Sequence, residues 1–182
     1  MRVCSRPASE PSPDTGTFYM RPLPRDHIAF DSRSGRALFQ QALGEGTMEG
    51  YFNLAAQFHT QAEPSYCGLG SLVCALNALR IDPVRTWKGP WRWFSEELLT
   101  CCKPLAEIEQ FGLTLDEVAC LARCSGAGVR LYRPPVTDID EFREHVRAAS
   151  SDATAPVLIV NYSRRAVGQT GDGHFSPVGG YH

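Results

Sequence analysis

No run of apolar residues in this 182-residue sequence is long enough to span a bilayer, and the opening Met1-Arg2-Val3-Cys4-Ser5-Arg6-Pro7 lacks the hydrophobic region of a signal peptide. An organelle transit peptide fits poorly too, because Glu10 and Asp14 interrupt the segment. Lys and Arg form no cluster. A net charge of −2 and a pI near 6.2 leave no electrostatic footprint for nucleic acid or an anionic membrane. These absences point to a cytoplasmic protein. The seven cysteines lack regular pairing: odd in number and irregularly spaced, they argue against a closed disulfide framework and read as thiols, metal ligands or nucleophiles.

A hydrophobic content of 43% is enough for one core and one domain. Residues 1–17 are rich in Pro, Ser and Glu without apolar period and read as a disordered leader, with ordered structure beginning near Phe18-Tyr19. Helices are expected over 36–43, stopped by Gly44, and over 48–58, where Tyr51, Leu54, Ala55 and Phe58 form an apolar stripe. His59 reads as a polar surface or satisfied residue. Asp82-Pro83 breaks the chain, and Trp87, Trp91, Trp93 and Phe94 read as core or pocket wall rather than a base-stacking surface. Thr114 and Glu117 have capping-box spacing ahead of a helix that ends at Gly126, and 129–132 reads as a short strand. A helix over 138–149 would turn Ile139, Phe142 and Val146 inward, with His145 in a structural role. The aliphatic run 157–162 reads as a buried strand, followed by a polar, glycine-containing link and a second strand with His174 at its head.

One stretch promises chemistry. From Gly68 to Leu79 apolar residues recur at helical spacing, while Pro64 and Ser65 lie where a helix has not begun, so Cys67 falls in the first helical turn. Unpaired N–H groups and the positive end of the helix dipole favour a thiolate there. Gln61 is placed to aim an amide N–H at an oxyanion forming beside that sulfur. A reactive cysteine needs a base, and His174, behind its flexible link, is the candidate.

Cysteine on a helix, histidine on a facing strand and glutamine upstream is the layout of papain-like enzymes. The words Gly46-Thr47-Met48-Glu49-Gly50, Thr60-Gln61-Ala62-Glu63-Pro64-Ser65-Tyr66-Cys67-Gly68-Leu69, Trp87-Lys88-Gly89-Pro90-Trp91-Arg92-Trp93-Phe94, Cys120-Leu121-Ala122-Arg123-Cys124-Ser125-Gly126-Ala127 and Gly173-His174-Phe175-Ser176-Pro177-Val178-Gly179-Gly180-Tyr181 resemble those of the phytochelatin synthases, over roughly residue 18 to the end. The resemblance implies an α+β, papain-like fold in which a helical part carrying the nucleophile packs on an antiparallel sheet. It implies Cys67 as nucleophile, His174 as general base and acid, Gln61 as oxyanion donor, and Gly173 near the substrate. The implied reaction is transfer of a γ-glutamylcysteinyl group from glutathione to a second glutathione or a growing phytochelatin. Cd²⁺ or Zn²⁺ would enter as a thiolate complex of glutathione or as an activating ion, with no obligatory resident cofactor. Nucleic acid and membrane partners are not implied, and the oligomeric state stays open, a homodimer included.

In that family the third catalytic residue is an aspartate on the strand after His-Phe-Ser-Pro, beyond His182. The catalytic domain, 18–182, is therefore read as incomplete at its C-terminus, with its later strands absent and its activity expected to be weak. Asp172 is too close to His174 in sequence to substitute. Cys101, Cys102, Cys120 and Cys124 are candidates for metal ligation, against the blander reading of buried free thiols, and Cys74 reads as core. Two other functions remain: a peptidase releasing glycine from glutathione or its conjugates, and an inactive thiol-rich metal-binding fragment.

Overall fold

The computed structural model describes residues 22–134 and 138–182; the leader over 1–17 and the onset at Phe18-Tyr19 lie outside them. Helix α1 (Arg33–Gly44) begins at Ser32, whose hydroxyl accepts the Gly35 N–H. It starts three residues before the expected point and runs through Gly44, the left-handed residue that follows being Gly46. Helix α2 (Glu49–Ala55) is shorter than the 48–58 pattern predicts, and Phe58, expected on its buried stripe, is 88% exposed. A short apolar pattern cannot say whether a neighbouring element covers its last turn.

Helix α3 (Cys67–Ala78) is apolar on nearly every face, ten of its twelve residues being buried, which places it at the centre of the domain. Leu69, Leu72 and Leu76 meet Leu99, Ile108 of α4 (Leu105–Phe111) and Leu121 of α5 (Leu115–Cys124) in one core. Gly68 permits the close approach: a Cβ there would lie 3.1 Å from both Leu113 Cδ1 and Val118 Cγ2. The capping box is present, with Thr114 Oγ1 accepting the Glu117 N–H and Glu117 accepting the Thr114 N–H at 2.7 Å. Neither α4 nor the 3₁₀ turn Glu96–Leu98 was legible from periodicity.

The strand expected over 129–132 is absent; that segment has no regular structure. Helix α6 (Ile139–Ser151) starts one residue after its Asp138 cap, but it turns Ala149 and Ser150 inward and leaves Ile139 and Phe142 exposed. The contact is with the small helix α2, so small residues fit it best. The terminal hairpin pairs β1 (Ile159–Ser163) with β2 (Gly173–Pro177) antiparallel, Tyr162 opposite His174 and Asn161 opposite Phe175. The run expected as a buried strand is half-buried and starts two residues later, because this two-stranded sheet meets α3 without being enclosed on both faces.

Candidate active site

Cys67 is the first residue of α3, half-buried, and the N-cap Tyr66 donates no side-chain oxygen to the helix. The first backbone bond is from Gly70 N–H to Tyr66 O at 2.8 Å, and among the described residues no side chain caps the first turn of α3. Such a terminus attracts negative charge. Cys74, the other free thiol among the described residues, is occupied: its Sγ donates to Gln57 O at 3.1 Å, and burial pushes its titration upward. Of the two, Cys67 alone stands at a helix N-terminus.

Helix α3 packs along β2, so the element carrying Cys67 lies against the strand carrying His174. The His174 ring sits edge-on to Tyr162, with centroids 5.6 Å apart. Burial, and then the positive charge of Arg164, hold its imidazole below the usual 6.5. The ring is therefore neutral at pH 7 and able to take a proton. Among the described residues no carboxylate is bonded to it: Asp172 bonds Arg165 at 2.9 Å instead, as its closeness in sequence to His174 suggested. Gly173, opposite Ser163, stands beside Asn161, whose Oδ1 would be 3.6 Å from a Cβ at that position.

Gln61 lies in the turn ahead of α3. Its Nε2 donates to Glu63 O at 2.7 Å and to Pro64 O at 3.0 Å, which uses both amide hydrogens to hold the turn. Donation to an oxyanion requires one of these bonds to open. Beside this turn is a group that sequence reasoning missed. The Glu96 carboxylate, 7% exposed, faces His59 Nε2 at 3.1 Å and accepts the Ala62 N–H at 3.1 Å. Among the described residues His59 Nε2 is buried without a hydrogen-bond partner, so the residue is not the surface or satisfied one expected; the signal for Glu96, one acidic residue in a Ser-Glu-Glu run, was indistinguishable from solvated charge.

The cysteine clusters correct the sequence reading. Cys101 is bonded to Cys124 and Cys102 to Cys120, so these are neither free nor buried thiols. Spacing i to i+4 puts Cys120 and Cys124 on one face of α5, and the adjacent Cys101-Cys102 crosses that face, so two bonds form where linear spacing showed no framework. The sulfurs of Cys101, Cys102 and Cys124 lie within 4.8 Å of one another, yet metal ligation there requires both bonds to be reduced. The aromatic run also divides. Phe94 is core, whereas Trp87, Trp91 and Trp93 are exposed, Trp93 at the border of a cleft of about 540 Å³ with Asn77 and Arg80.

A sequence model of the family described as phytochelatin synthase matches residues 18–182. The glutathione gamma-glutamylcysteinyltransferase 3 of Lotus japonicus is 51% identical over 166 residues, covering 91% of this chain and 34% of that protein. The wheat (Triticum aestivum) glutathione gamma-glutamylcysteinyltransferase 1 is 49% identical over 170 residues, and the Schizosaccharomyces pombe enzyme of the same name 48% identical over 167. The chain spans 34% to 40% of the length of these three relatives. No helix among the described residues is long and apolar enough to cross a membrane. With a match over 18–182 and about half of all aligned positions identical, the chain belongs to the phytochelatin synthase family.

Proposed function

We propose that this chain carries the acyl-transfer site of a γ-glutamylcysteine dipeptidyl transpeptidase that makes phytochelatins from glutathione in the cytoplasm, on a papain-like fold. The observation that carries the reading is a free cysteine on the uncapped first turn of α3, with that helix packed on the strand bearing a neutral histidine. His174 takes the Cys67 proton as sulfur attacks the carbonyl preceding the glycine of glutathione. The C–N bond breaks, glycine leaves with the proton from His174, and a γ-glutamylcysteinyl thioester remains on Cys67. The uncapped α3 N–H groups, and Gln61 once its bond to Pro64 O opens, stabilise the oxyanion. The amine of a second glutathione, or of a growing phytochelatin, then attacks the thioester and frees Cys67. Cd²⁺ or Zn²⁺ enters as cargo on the substrates' thiolates, which makes the product a chelator for metal detoxification.

With no carboxylate on the His174 ring among the described residues, slow turnover is expected, so acylation is the step to measure. After incubation with glutathione, mass spectrometry should find on Cys67 an adduct of glutathione less glycine, with free glycine released in equal amount. Cys67→Ser should show neither. Absence of both from the unmutated chain would sink the reading. Retained adduct with water as the dominant acceptor would replace the transpeptidase by a glycine-releasing peptidase. Four thiols held in disulfides argue against the third reading, a thiol-rich metal-binding fragment.

A further inference from the structure

Among the described residues Glu96 is the only charged residue that is buried, and no Lys or Arg pairs with it. A carboxylate in such a place is costly unless both oxygens are matched. One segment, residues 59–62, meets both oxygens: Oε2 accepts the Ala62 N–H at 3.1 Å, while Oε1 stands 3.1 Å from His59 Nε2 without a hydrogen bond, an ion pair only when His59 is protonated. Ala62 follows Gln61. The same place is where the segment meets the nucleophile helix. A Cβ at Gly70, one turn after Cys67, would lie 3.5 Å from Gln61 Cβ, 3.6 Å from His59 Cδ2 and 3.7 Å from Glu96 Oε1. Glu96 is itself held to α3, because Asn77 exchanges two hydrogen bonds with the backbone of Phe94 two residues earlier.

We propose that Glu96 is a positioning residue for acyl transfer. The bond from Ala62 N–H to its Oε2 fastens the Gln61 segment beside the first turns of α3, so that the Gln61 amide stands where negative charge develops beside Cys67. The inference rests on the oxyanion role given to Gln61 above. Misplacing a donor by about an ångström is enough to slow such a step on the order of a hundredfold.

The test uses two reactions of the same sulfur. Alkylation by iodoacetamide forms the S–C bond by displacing iodide and passes through no oxyanion. Acylation by glutathione, or by p-nitrophenyl acetate with loss of p-nitrophenolate, passes through a tetrahedral oxyanion. Glu96→Ala should slow acylation of Cys67 by about 10- to 100-fold while alkylation stays within about twofold of the unmutated chain. Glu96→Gln, which keeps an acceptor for Ala62 N–H but loses the carboxylate charge, should recover only part of the loss and stay at least about threefold slow in acylation. An unchanged acylation rate in Glu96→Ala, or a parallel fall in both reactions with the fold intact by circular dichroism, would overturn the proposal. If Glu96→Ala does not fold, Glu96→Gln decides: its ratio of acylation to alkylation must fall by at least about threefold, and an unchanged ratio overturns it. Acylation by p-nitrophenyl acetate but not by glutathione would remove the substrate reading and leave the Glu96 comparison valid. Acylation by neither donor overturns both.

Discussion

Asn77 and Phe94 hold each other by two buried hydrogen bonds: Asn77 Nδ2 donates to Phe94 O at 3.0 Å, and Phe94 N–H donates to Asn77 Oδ1 at 3.1 Å. The pair joins α3 to the segment that carries Glu96, 17 residues further along the chain. Asn77→Ala leaves a buried N–H and a buried C=O unpaired and is expected to cost about 2–3 kcal/mol. Asn77→Asp should fare little better, since a carboxylate cannot donate to Phe94 O. Urea unfolding measures this; a midpoint equal to that of the unmutated chain would contradict it.

A second long-range tie joins Thr47 to Tyr181, 134 positions further along the chain. Thr47 Oγ1 donates to Tyr181 O at 2.6 Å, and Tyr181 N–H returns to Thr47 O at 3.1 Å. Gly180 lies so close that a Cβ there would sit 2.9 Å from Thr47 O and also press on Met48. Gly180→Ala is expected to destabilise by about 1–3 kcal/mol through overpacking. Thr47→Ser keeps the hydroxyl and should be close to neutral, whereas Thr47→Val should lose about 1 kcal/mol. Equal melting temperatures for the Ser and Val variants would rule out the hydroxyl bond as the cause.

The two disulfides close loops between positions 23 and 18 apart in sequence. Reduction is expected to lower stability by about 2–4 kcal/mol, the range for loops of this size. Alkylation of the unfolded chain without reductant should leave Cys101, Cys102, Cys120 and Cys124 unlabelled while Cys67 and Cys74 react. Labelling of those four would disprove the pairing.

Protonation of His174 should oppose folding. Its folded value lies below the ordinary 6.5, from burial first and Arg164 second. The unfolded chain therefore binds more protons between the two values, so this contribution is complete above about 6.5 and declines as pH falls through the folded value. His174→Gln should flatten the fall in melting temperature between about pH 7 and about pH 5. The same depression keeps the ring unprotonated at neutral pH, so acylation of Cys67 should decline on the acid side only below the ordinary histidine range. A variant whose melting temperature tracks the unmutated chain across this range would count against His174 as the titrating group.

The parts of the fold that could be read early were those governed by neighbours in sequence. The capping box at Thr114 and Glu117, the Asp138 cap of α6, the start of α3 at Cys67 and the hairpin carrying His174 all follow from residues within a few positions of one another. Where the reading failed, the deciding contact came from afar. Phe58 and Ile139 sit at the right spacing for a buried face, but among the described residues no distant element covers them.

Sequence alone determined that one cysteine stands at a helix start, that a histidine heads a strand, and that long motif words match one family, because each depends on residue order and local backbone preference. Tertiary structure alone decided which cysteines pair, that Glu96 is buried against residues 59–62, and that Gln61 spends both amide hydrogens on its own turn. Burial and long-range pairing are properties of packed surfaces, and residues 34 positions apart, such as Ala62 and Glu96, leave no periodic mark in a linear chain.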